Sequence, residues 1–166
     1  LDEAPEPDGG TVERERIAGR VEAQGLGFGY PGAEGRALHG IDFSIDTGEV
    51  VVILGANGAG KTTTMRAVSG TVTTKGSIRL GGVELVGKRP ELVARAGIAH
   101  VPQGRGTFPE LSVANNLEAG AYVRRDRSAI RADVERWYEI FPVLGQRRAQ
   151  QVGQLSGGEQ QMLAVA

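Results

Sequence analysis

Gly55-Ala56-Asn57-Gly58-Ala59-Gly60-Lys61-Thr62 is the stretch on which the fold turns. It fits the pattern G-x-x-x-x-G-K-[ST] and stands between an apolar run, Val50-Val51-Val52-Ile53-Leu54, and a segment able to start a helix at Lys61. Glycines let backbone N–H groups approach a small, highly charged anion without a Cβ in the way, and a helix start adds its own unpaired donors. The spacing predicts a phosphate cradle. Gly55, Asn57, Gly58 and Gly60 form the loop, Lys61 sets a cation against the β and γ phosphates, and the Thr62 hydroxyl ligates Mg²⁺ with Thr63 beside it.

Outward from the loop the chain alternates strand and helix signals. Upstream, 20–30 has the character of a first strand, and 38–46 alternates Ile41, Phe43 and Ile45 with Asp42, Ser44 and Asp46, the pattern of a half-buried strand. Glu49 to Leu54 reads as a strand buried on both faces, because every position after Glu49 is apolar. Downstream, 61–69 predicts a helix closed by Gly70. Gly81-Gly82 predicts a hairpin turn between 77–80 and 83–86, and 97–101 predicts a short strand ended by Pro102. From Ser112 the pattern turns helical, with Ser112 and Ser128 as N-cap candidates. Ile130, Val134, Trp137, Tyr138 and Phe141 mark one face, on which Trp137 and Tyr138 read as core.

Composition narrows the function classes. With 40% hydrophobic residues in 166, one domain can bury a core without staples, and no cysteine is present to make a disulfide, a zinc cluster or a thiol nucleophile. A formal net charge of -1 lacks the basic surplus of a nucleic-acid binder. The longest strong apolar run is strand length, so any membrane role is expected to be peripheral. Residues 1–19, rich in Pro, Gly and acid at the start, read as a disordered linker, and His39 and His100 lie on strand-like segments where neutral packed imidazoles are expected.

A second motif follows at Leu155-Ser156-Gly157-Gly158-Glu159-Gln160-Gln161. Ser156 and Glu159 have capping-box spacing, and Gly157-Gly158 leave bare N–H groups at a helix start, which makes a second anion site. The phosphate loop followed by this segment resembles the ATP-binding subunits of ABC transporters, and the resemblance covers about 20–166. It implies an α/β P-loop NTPase core sheet with an antiparallel β subdomain and a helical subdomain at 104–150, the C-terminal part being missing. Tyr30, with Phe28 as the competing aromatic, matches the residue that stacks on adenine. Gln103 matches the Q-loop glutamine, a Mg²⁺ ligand or orienter of the attacking water. In that arrangement Lys61, Thr62 and Gln103 of one subunit hold MgATP, and Ser156, Gly157 and Gly158 of the facing subunit close over its γ-phosphate.

Val101-Pro102-Gln103-Gly104-Arg105, Phe108 to Val113, Asn116-Leu117, Glu139 to Pro142 and Gln146-Arg147-Arg148 are similar to branched-chain amino-acid importer subunits, which more often carry Glu at the Gln103 position. This resemblance implies a homo- or heterodimeric partner ATPase, transmembrane permease subunits, an extracytoplasmic solute-binding protein and a place on the inner face of the cell membrane. No apolar strand ending in Asp-Glu and no later histidine follow the signature within these residues. No general base is therefore assigned, and the chain by itself is expected not to turn over ATP. Two other readings remain open: a non-catalytic nucleotide-binding module, and a DNA-repair or chromosome-organising ABC ATPase. The short interval from Gln103 to Leu155, without heptads, argues against the second.

Overall fold

The computed structural model describes residues 19–30, 32, 37–104, 106–122 and 124–166, so most of the expected linker at 1–19 lies outside the described residues. The chain divides into two compact units, one running to Ile98 and the other from Ala99 to Ala166.

In the first unit, β1 (Val21–Phe28), β2 (Leu38–Ile45), β3 (Lys75–Leu80) and β4 (Val83–Glu84) form an antiparallel sheet in the order β2-β1-β3-β4. Ala23 pairs with Phe43 on one side and Ile78 on the other. A register shift between Ala23 and Leu26 adds a residue to β1, so that these two, three apart, are both buried where strict alternation would have split them. With Leu38, Ile78, Leu80 and Leu85 they pack on Ala67 of helix α1 (Lys61–Val68) and on Val93 of helix α2 (Pro90–Ala96). The Gly81-Gly82 turn forms as expected, with φ of 55° and 83°, a pair of left-handed positions that side chains resist. Beyond it β4 stops at Glu84, because the Glu84 carboxylate itself accepts from the amides of Ile78 and Val86 at 2.9 and 3.0 Å.

The expected strand at Glu49–Leu54 does not form. Among the described residues no strand pairs with it, and an apolar run of this kind requires neighbours on both edges and both faces. Its exposure alternates instead, 89% at Val50, 45% at Val51, 71% at Val52, 44% at Ile53 and 86% at Leu54. That period of two leaves one side of the segment bare and the other half-covered. Residues 97–101 are likewise not a strand: Gly97 closes α2 in a left-handed conformation, and the following residues find no partner ladder. On β2, an edge of the sheet, His39 is exposed rather than packed, and Ile41 is 36% exposed, so the alternation there buries less than the pattern suggests.

The second unit is helical: α3 (Val113–Gly120), α4 (Arg127–Ile140), α5 (Pro142–Gln146), a 3₁₀ turn at Val152–Gln154 and α6 (Gly157–Val165). Val113, Leu117, Tyr138, Leu144, Val152, Leu155 and Leu163 make its core. Tyr138 is buried as expected, while Trp137 is half-buried and stacks on Phe141 at 5.8 Å. Ser112 caps α3, accepting from the Asn115 amide. Ser128 does not cap α4. Its N-cap position is Asp126, two residues earlier, whose carboxylate is held by Arg124 while the same guanidinium reaches Asp133 at 2.6 Å.

Candidate functional site

The phosphate loop leads into α1 through Gly60, which sits at φ 90°. A Cβ there would meet the Ala37 carbonyl oxygen at 2.9 Å and Leu38 Cδ2 at 3.0 Å, so only glycine lets the loop settle on the start of β2. The Gly60 carbonyl accepts from the Thr64 amide at 2.8 Å and from the Thr64 hydroxyl at 3.0 Å, which fixes the loop's exit. Lys61 turns back across the loop, and its ammonium donates to the carbonyls of Gly55 and Ala56, both at 2.8 Å. The cation is thereby held over the loop rather than swinging in solvent. Gly55, Asn57 and Gly58 are exposed, and a Cβ at Gly58 would touch nothing within 4 Å, so the loop is open to solvent there.

Thr62 and Thr63 diverge. Thr62 is exposed at the helix start, whereas Thr63 is buried and its hydroxyl lies 3.2 Å from the Tyr30 hydroxyl. Tyr30 itself is 45% exposed and meets Phe28 edge-on at 4.7 Å. Phe28 acts as the wall and Tyr30 as the face that a flat ring could cover. The structure thus brings Tyr30, Gly55, Asn57, Gly58, Gly60, Lys61, Thr62 and Thr63 into one unit. Gln103, exposed in a turn, and the signature belong to the other.

In that second unit Ser156 is the N-cap of α6, and the capping box is complete. The Ser156 hydroxyl oxygen accepts from the Glu159 amide at 3.3 Å, and the Glu159 carboxylate accepts from the Ser156 amide at 2.7 Å. The Glu159 carboxyl is lowered by that backbone bond first, then by the Ser156 hydroxyl, with Arg147 adding to it. A Cβ at Gly158 would meet nothing within 4 Å. Two supports escaped the sequence reading. Arg147 pairs with Glu159 at 3.6 Å. Buried Asn116 clamps the preceding loop, accepting from the Phe108 amide at 2.8 Å and donating to the Phe108 and Ser112 carbonyls at 3.0 Å. Neither has a local sequence signal, since both depend on contacts made by folding.

Mg²⁺ takes oxygen ligands and prefers to keep water and phosphate around it. Among the described residues no group of three or more His, Cys, Asp or Glu could hold a metal by itself. Thr62, exposed at the start of α1, offers one neutral oxygen of the kind that suits an ion carried mainly by phosphates.

The family model described as ABC transporter matches residues 38–166. The chain belongs to the ABC transporter family. Relatives within it include the high-affinity branched-chain amino acid transport ATP-binding protein BraG of Pseudomonas aeruginosa, 41% identical over 78% of this chain and 56% of that one. They also include the ATP-dependent lipid A-core flippase of Pseudomonas putida, 37% identical over all of this chain and 28% of the other. The ABC chain described here therefore spans about half the length of the first of these and less of the second. A solved dimeric ATP-binding cassette bound to ADP and Pi has the same fold, with a TM-score of 0.75, 21% identity and coverage of 87% of this chain and 67% of that one. The α/β P-loop fold of an ABC ATP-binding domain is thus the fold of this chain. No helix among the described residues is long and apolar enough to cross a membrane.

Proposed function

We propose that the protein is the ATP-binding subunit of an importer for a small solute of the branched-chain amino-acid class. The observation that carries the reading is the Lys61 ammonium clamped at 2.8 Å over the carbonyls of an open glycine loop, a cation prepared for a triphosphate before it arrives. Lys61 and the loop amides of Gly55, Asn57, Gly58 and Gly60 bind the phosphates, and Tyr30 covers the adenine. Thr62, with Thr63 behind it, and Gln103 hold the Mg²⁺ ion, which when bound offsets phosphate charge. Gln103 also orients the attacking water. Ser156, Gly157 and Gly158 offer donors to the γ-phosphate held by a facing subunit.

ATP then joins two ATPase subunits, identical or not, and loss of the γ-phosphate weakens the joint, which passes opening and closing to the permease subunits. Residues 20–166 form one ATPase domain within this scheme, 104–150 being its permease-facing helical part and 1–19 a linker. The subunit works on the inner face of the cytoplasmic membrane, with an extracytoplasmic binding protein delivering the solute. The 41% identity to BraG supports the amino-acid class, and the alignment of this whole chain to 28% of a lipid A-core flippase favours a lipid as the second reading.

The test is uptake of labelled leucine, isoleucine and valine by cells expressing the protein together with candidate permease subunits. ATP-dependent uptake abolished by Lys61→Ala is the expected result. No amino-acid uptake beside an active lipid translocation would replace the first reading by the second.

A further inference from the structure

The signature helix α6 carries a carboxylate where its proposed ligand is an anion. Glu159 is its third residue, one turn from the Ser156 hydroxyl, and the capping box holds it there ionised. A fixed negative charge beside a site for γ-phosphate opposes binding unless something offsets it. Both Glu159 oxygens are engaged: Oε2 accepts from the Ser156 amide and Oε1 lies 3.6 Å from Arg147 Nε. The Glu159 side chain is 15% exposed and that of Arg147 is 42% exposed, so solvent and salt still screen the pair in part.

The backbone that carries Arg147 is tied on both sides. Its amide donates to the Val143 and Leu144 carbonyls at the end of α5, and its own carbonyl accepts from Gln150. The next residue is anchored too: Arg148 lies over the Tyr138 ring at 5.1 Å and its carbonyl accepts from Ala114. The capping box also fixes the position of the Ser156 hydroxyl, whose oxygen accepts from the Glu159 amide at 3.3 Å.

We infer that Arg147 is a positioning residue of the signature, cancelling the Glu159 charge so that the capping box can orient Ser156 without repelling the phosphate that Ser156 meets. The inference rests on the reading of Ser156 as a γ-phosphate donor. Arg147 itself touches no ligand, and its effect is exerted through Glu159.

The experiment is ATP-dependent association of the full-length subunit, followed by analytical ultracentrifugation at low and high salt, with thermal melting as a folding control. Arg147→Gln is expected to weaken association about threefold to fivefold at low salt. Arg147→Lys should stay near wild type, and the double variant R147Q/E159Q should recover what R147Q lost, because the amide keeps the cap bond and drops the charge. Weakening by R147Q that E159Q does not rescue, or no weakening at all, overturns the inference. Ser156→Ala separates the two levels: if it leaves ATP-dependent association unchanged, the assignment of Ser156 falls, independently of how the charge pair behaves.

Discussion

Gly60 is the residue at which the loop has no alternative. Its φ of 90° and the 2.9 Å approach to the Ala37 carbonyl exclude any side chain, so Gly60→Ala should cost about 1–3 kcal/mol in urea unfolding and loosen nucleotide binding in the same protein. Glu84 offers a pH test. Burial pushes its carboxyl up, but bonds from the Ser77 hydroxyl, the Ile78 and Val86 amides and Arg79 outweigh that and bring it from an ordinary 4.5 to about 2. A lowered carboxyl stabilises the fold fully above pH 4.5, and the contribution is lost as pH falls toward 2. With 42% of the side chain exposed the effect is screened, and Glu84→Gln should cost about 1–2 kcal/mol at neutral pH and flatten the acid limb of the stability curve. A wild-type curve flat between pH 4.5 and 2 would contradict this. The phosphate-loop residues and Ser156 were legible from spacing, whereas Glu84 was not, because its role depends on a hairpin folding back onto its own carboxylate.

At the scale of elements, what could be read depended on whether an element closes its own hydrogen bonds. Helices α1 and α6 and the Gly81-Gly82 hairpin did so locally and were legible, the Ser156 cap of α6 included. The runs at 50–54 and 97–101 needed partners from elsewhere, and composition cannot say whether those partners are at hand. The start of α4 was misplaced because Arg124, bridging Asp126 and Asp133, outweighs the N-cap preference of Ser128. Removing Asn116 by Asn116→Ala should free the Phe108–Ser112 loop and lower stability by about 2–3 kcal/mol, since it orphans the Phe108 amide. Hydrogen exchange should then speed up at Phe108 and spare α1, and uniform acceleration across both units would argue against so local a role.

For the whole molecule, the division at Ile98 and Ala99 puts the phosphate loop in one unit and Gln103 and the signature in the other. Each unit has its own core, and each core can be weakened separately. Leu26→Ala should lower stability by about 2–5 kcal/mol through the sheet unit, while Leu144→Ala does so through the helical one. Two separable melting steps by calorimetry would fit that independence, and one common step would mean that the units unfold as a single cooperative body.

The segment Val50–Leu54 enters the phosphate loop bare on one side and half-covered on the other, whereas the loop's exit is nailed to β2 and α1 through Gly60. A cradle secured at one end has its geometry finished by whatever pairs with the other. Ligand and cover are then thermodynamically linked, each raising the affinity of the other by the same factor, so the grip on nucleotide becomes a gauge of how completely those five residues are sheltered.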